Sequence, residues 1–146
     1  MFPRFGECMF EKADEIIAAA RACIGTPFRH QGRLPGVGLD CAGLGIVAAK
    51  AVGIEIRDFS GYPNLPFDGM LKKMFDEQPN LKRIARIDAA PGDVLLMRIS
   101  QAPQHVAILS YEGYMIHAYQ NIGKVAEHRI DADWKAKIVA VYRFVL

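Results

Sequence analysis

Only three of the 146 residues are cysteines, Cys8, Cys23 and Cys41, and no two form a Cys-x-x-Cys pair. A set this sparse and odd in number gives neither a disulfide framework nor a zinc-finger pattern, and it points to synthesis in a reducing compartment. Charge of one sign is also lacking. The formal net charge is +2 and the basic residues are scattered, so nucleic acid is not an expected partner. No apolar run approaches the ~20 residues that span a membrane. The opening MFPRFGECMF followed by EKADE has no apolar signal-peptide core, so export by the ordinary secretory route is not expected. Repeats, linkers and low-complexity tracts are missing as well. What remains, 51% apolar and 23% charged, is the composition of one globular domain over residues 1–146.

Along the chain, Lys12 to Ile24 predicts a helix with Ala13, Ile16, Ile17, Ala20 and Ile24 on one face, ended by Gly25 and Pro27. Cys23 in its last turn and the earlier Cys8 read as packed or idle thiols. Residues 25–40, GTPFRHQGRLPGVGLD, are too rich in glycine and proline for a regular element. No Gly-Lys-Ser/Thr ending makes this stretch a phosphate loop. It reads as a long functional loop anchored by Phe28, His30, Leu34 and Val37. Cys41 to Val52 carries one charge, Lys50, and predicts a buried helix with Asp40 as its N-cap.

Ile54 to Pro66 is irregular, and Asp68 to Glu77 predicts a short helix whose core face holds Phe67, Met70, Leu71, Met74 and Phe75. Strands are expected at Asp93–Ile99, His105–Tyr111, Gly113–Gln120, Val125–Ile130 and Ile138–Val145, with Trp134 capping the core. Helices followed by an antiparallel meander give an α+β domain.

The residue around which this pattern turns is Cys41. As the first residue of a helix it meets free N–H groups and the positive end of the dipole, which favour a thiolate of pKa roughly 3.5–7.5 once a basic partner is near. Four histidines are available: His30, His105, His117 and His128. His105 and His117 fall on consecutive strands, and an odd-length turn between them puts both on one face. Cys41 then attacks a carbonyl carbon, His105 takes its proton and later protonates the leaving amine, and His117 orients His105. The Cys41 backbone N–H stabilises the oxyanion. The same three residues are legitimate zinc ligands, but no short pair pre-organises such a site, so neither metal nor cofactor is expected.

GTPFRHQG at 25–32, GLDCAGL at 38–44, PGDVLLM at 91–97, QHVAIL at 104–109 and MIHAY at 115–119 together resemble the NlpC-type, papain-like cysteine peptidases of bacterial cell walls. The motifs stand in the family's order and span about two thirds of the chain. The RHQG form and the lack of a signal peptide look most like the branch encoded in phage-tail and prophage gene clusters. The resemblance implies N-terminal helices packed on a C-terminal antiparallel sheet, or partial barrel, of about five strands. It implies Cys41 as nucleophile, His105 as base and His117 as the orienting residue. The substrate it implies is an amide bond in peptidoglycan stem peptides, commonly between D-glutamate and a diamino acid. Phage tail proteins are the implied partners. Synthesis in the bacterial cytoplasm and delivery to the wall in a tail follow from the same resemblance.

It also puts Asp40 and Phe28 at the substrate, Asp40 holding a free amine. Two departures stand out: Phe28 occupies a position where many members carry a tyrosine hydroxyl, and Ala42 one where many carry serine. Both imply slower turnover or a different substrate. The interval from Cys41 to His105 is long for the family, so Asp58 to Gln78 reads as an insertion that shapes or covers the cleft. A tail assembly subunit without turnover, and an acyl or amide transferase using the same thioester, are the other readings.

Overall fold

The computed structural model describes residues 5–58, 70–99 and 103–145, without the side chains of residues 5–11 and 103. The Cys8 thiol, Phe67 and most of the expected irregular stretch after Arg57 lie outside the described residues.

Helix α1 spans Phe5–Arg21 and buries Ile16, Ile17 and Ala20. It starts earlier and stops sooner than predicted. Ile24, expected on the buried face, is 47% exposed. The backbone tightens to three-residue spacing there, with Cys23 N donating to Ala20 O and Ile24 N to Arg21 O, and Gly25 turns the chain at φ +91°. Cys23 is buried in the core as a small packed side chain, its thiol donating to Ala19 O.

Residues 25–40 are not wholly irregular. Two short strands, β1 (Arg33–Leu34) and β2 (Gly38–Leu39), pair antiparallel. Leu34 and Val37 are not anchors, being 59% and 56% exposed. Polar contacts hold the loop instead. Thr26 Oγ1 accepts from Gly36 N, Leu39 N donates to Pro27 O and Arg29 N to Leu39 O. The loop also presses directly on helix α2 (Cys41–Ala51): a Cβ placed on Gly43 would sit 2.2 Å from Gly32 O. Only glycine allows that approach.

Helix α2 follows Asp40 as expected and buries Ala42, Gly43, Leu44, Ala48 and Ala49. Helix α3 (Met70–Asp76) turns Leu71 and Phe75 into the core. After α3, Gln78 reaches back to the segment that follows α2, its amide both accepting from Arg57 N and donating to Arg57 O at 2.9 Å.

The second half forms a six-stranded antiparallel sheet from β3 (Leu81–Ile84), β4 (Val94–Arg98), β5 (Pro103–Leu109), β6 (Tyr114–Tyr119), β7 (Lys124–Arg129) and β8 (Ile138–Phe144). Its order is β3-β8-β4-β5-β6-β7, so β4 to β7 are the expected meander and β8 returns beside β4. The extra strand is β3, an edge strand whose Lys82 and Arg83 are exposed; two charges in LKRI hide the apolar alternation by which strands are recognised.

Both faces of the sheet are covered. Ile108, Ile116 and Ala118 pack against α1 and α2, while Val94, Leu96 and Val106 pack against Leu71 and Phe75 of α3. On the opposite face Leu95, Met97, Ala107 and Met115 meet Trp134, which lies on a short helix α4 (Ala132–Ala136) capped by Asp131. Trp134 covers that second core, as expected.

Candidate active site

The structure places Cys41, His105, Asp40 and Phe28 in the wall of a single cleft, with His30, Leu71, Tyr119 and Gln104. Cys41 opens α2 directly after its cap. Asp40 Oδ1 accepts from Gly43 N at 2.8 Å, and Leu44 N closes the first helical turn on Asp40 O. The Ala42 N–H faces the Cys41 sulfur, which leaves the Cys41 N–H as the first-turn donor for an incoming oxygen.

Asp40 itself is buried and heavily engaged. Oδ2 accepts from Gln31 N at 2.8 Å, and Oδ1 accepts from Arg33 Nη1 at 2.9 Å as well as from Gly43. Arg33 reaches on to Asp58 through Nε at 3.0 Å. The carboxylate thus ties the loop, helix α2 and, through Arg33, the segment after α2 to one point. Arg33 was missed in the sequence, where nothing distinguishes it from Arg29, the other arginine of the loop.

On the sheet, β5 and β6 pair Ile108 with Ile116 and Leu109 with Met115. Five residues, 110–114, separate the last paired positions, so the turn is odd and His105 and His117 share a face. His105 Nε2 lies 2.7 Å from His117 Nδ1, and both rings are buried. The contact continues. His117 Nε2 lies 2.7 Å from His128 Nε2 on β7, and His128 Nδ1 lies 2.9 Å from Arg129 O. Tyr119 stacks on His117 with centroids 5.6 Å apart, and Trp134 meets His117 edge-on at 5.1 Å. Trp134 also lies 5.7 Å from His128. The three imidazoles therefore run as a row across three adjacent strands, shielded by two aromatic rings.

His128 carried no role in the sequence reading. Its signal was present in principle: His117 pairs with Ala126, which puts residue 128 diagonally beside His117 on the same face. That register depends on the turn at 120–123, whose geometry the residue types alone do not set.

Electrostatics overturn one expectation. The Cys41 thiol is not poised as a thiolate. Burial pushes it up from 9.0 to about 12, and the Asp40 carboxylate adds to the rise. The N–H groups of Val106 and Ala42, and the Arg33 guanidinium, pull the other way but do not prevail. His105 is held well below its usual value by burial and by His117 and His128. Burial, with His128, lowers His117 to about 3. At neutral pH Cys41 is then a thiol and His105 and His117 are neutral, rather than an ion pair. For the sulfur to attack from this state, a general base would have to take its proton as the bond forms.

Residues 25–143 match the model of the NlpC/P60 family. Among solved structures the chain is similar to the peptidoglycan hydrolase RipB from Mycobacterium tuberculosis, at 23% identity and TM-score 0.71 over 99% of this chain and 69% of that one. It is similar to the NlpC/P60 domain of the peptidoglycan hydrolase SagA, at 28% identity and TM-score 0.63 over 88% and 97%. A third likeness is to RipD of Mycobacterium tuberculosis, a non-catalytic NlpC/P60 domain protein adapted to peptidoglycan binding, at 20% identity and TM-score 0.63 over 92% and 98%. No curated protein sequence matches the chain.

Proposed function

Because this chain belongs to the NlpC/P60 family, we propose that it is a cysteine hydrolase that cleaves an amide bond in peptidoglycan stem peptides. The observation that carries the reading is that Cys41, on its helix N-terminus, and His105, backed by the buried His117, line one cleft. Cys41 Sγ attacks the carbonyl carbon while His105 Nδ1 takes the thiol proton. The Cys41 N–H receives the oxyanion. His105 returns its proton to the leaving amine, and water then hydrolyses the thioester. His117 orients His105. Asp40 serves the free amine of a diamino acid through the negative field at the cleft floor, its oxygens being already engaged. The bond between D-glutamate and that diamino acid is the expected point of cleavage. Phe28 offers an apolar wall in place of a hydroxyl.

The test is digestion of purified muropeptides across pH 5 to 9, followed by mass spectrometry. A mass split with a new amine supports the hydrolase. Intact muropeptides at every pH reject it.

One observation favours a second reading, peptidoglycan binding without turnover: a thiol held near 12 is a poor resting nucleophile. Retention of the protein on insoluble wall with no cleavage would favour it. The RHQG loop supports placing the protein with a phage tail or prophage, made in the bacterial cytoplasm and carried to the wall. Its presence in purified tail particles would bear on that placement.

A further inference from the structure

We propose that His128 is a positioning residue that fixes the tautomer of His105 through His117. The inference rests on His105 acting as the base, as read above. It starts from the one end of the row whose hydrogen-bonding role is unambiguous. A backbone carbonyl only accepts, so His128 Nδ1, 2.9 Å from Arg129 O, carries the proton. In its neutral form an imidazole holds one N–H, so with His128 in that form its Nε2 is an acceptor. His117 Nε2, 2.7 Å away, must donate to it. His117 Nδ1 is left as an acceptor, and His105 Nε2, again 2.7 Å away, must donate in turn. That leaves the lone pair of His105 on Nδ1, the atom that has to take the Cys41 proton. Reversing any one proton in this chain sets two N–H groups, or two lone pairs, against each other, most costly at the buried His105–His117 contact.

His105 and His117 are buried, and neutral imidazoles are what burial favours there. Tyr119 and Trp134 flank the buried His105–His117 contact, while the His128–Arg129 end of the row lies nearer the surface. His128 thus transmits the polarity of a backbone carbonyl on β7 to a base on β5.

Tautomers are read directly by nitrogen-15 NMR of histidine-labelled protein at pH 7.5. The expected pattern is Nε2–H on His105 and His117 and Nδ1–H on His128. Nδ1–H on His105, or Nε2–H on His128, overturns the proposal whether or not the protein cleaves peptide. Failure of muropeptide cleavage alone would instead count against the hydrolase reading. In His128→Phe the acceptor is gone, and His105 and His117 are expected to show mixed tautomers. The kcat should fall roughly ten-fold with KM within about two-fold, a small part of the ~100–10,000-fold that general-base catalysis supplies. His128→Gln, whose amide oxygen accepts the same hydrogen bond, should restore both the tautomers and the rate. A His128→Phe protein with unchanged tautomers and unchanged kcat overturns the inference. If that variant does not fold, the wild-type pattern and the glutamine variant decide.

Discussion

A thiol near 12 makes a quantitative claim about the reactivity of Cys41. With Cys8→Ala and Cys23→Ala, Cys41 is the remaining cysteine, and its rate with 4,4′-dithiodipyridine is followed by absorbance. Displacement from 9.0 to about 12 leaves about 1,000-fold less thiolate at neutral pH than an ordinary cysteine holds. A more basic thiolate is also a better nucleophile, and a Brønsted slope of about 0.4–0.5 recovers roughly 15–30-fold of that loss. Cys41 should therefore react about 30–60-fold more slowly than N-acetylcysteine at pH 7, before any steric factor. Its rate should climb about ten-fold per pH unit from 6 to 10 without levelling. A plateau below pH 8, or a rate above that of the free thiol, would refute the reasoning. Either result would mean that Cys41 and His105 rest as an ion pair, and that the field of the helix N-terminus outweighs desolvation at this sulfur.

Four further outcomes follow from the structure. His105 and His117 are neutral when folded but ordinary in the unfolded chain, so the unfolded chain takes up protons first as pH falls. Stability is full above about pH 6.5 and is lost toward pH 3, with His117 alone contributing on the order of 5 kcal/mol. Urea midpoints measured from pH 7 to 4 should fall steeply in the wild type and less so in His117→Gln; equal slopes would contradict the assignment. Phe28→Tyr adds a hydroxyl to the cleft wall, and kcat for stem-peptide cleavage should rise about ten-fold, within the range one oxyanion donor supplies. No gain would mean that the oxyanion is already fully served. Gly43→Ala drives a Cβ against Gly32 O and should cost about 2 kcal/mol in urea unfolding. The neighbouring Gly45→Ala meets nothing within 4 Å and should gain up to about 1 kcal/mol.

Much of this architecture is legible in the residues. The apolar run after Asp40 announces a buried helix because its composition leaves no polar face. The later strands show themselves through alternation and through turn residues such as Pro91-Gly92. The partnership of His105 and His117 depends on the parity of one turn, a single bit that the residue types leave open. What escaped is physically different in kind. LKRI became a strand because β8 offered a free edge, a tertiary fact. Leu34 and Val37 look like anchors, yet the loop is held by Asp40 and by glycine contacts that no hydropathy pattern records. The thiol was misjudged because helix position is visible in sequence, whereas the desolvation that outweighs it is not.

The row of histidines crosses from β5 to β7 through side-chain contacts alone, so its continuity depends on how the strands are aligned. This sets a rule for lengthening the chain by evolution or by engineering. The turns at 110–114 and 120–123 can grow if the added residues bulge outward. An insertion that is taken up by sliding a strand one position would carry His117 or His128 to the other side of the sheet and cut the row. Diversification should therefore concentrate in the loop tips and before α3, while the three strands stay locked in step.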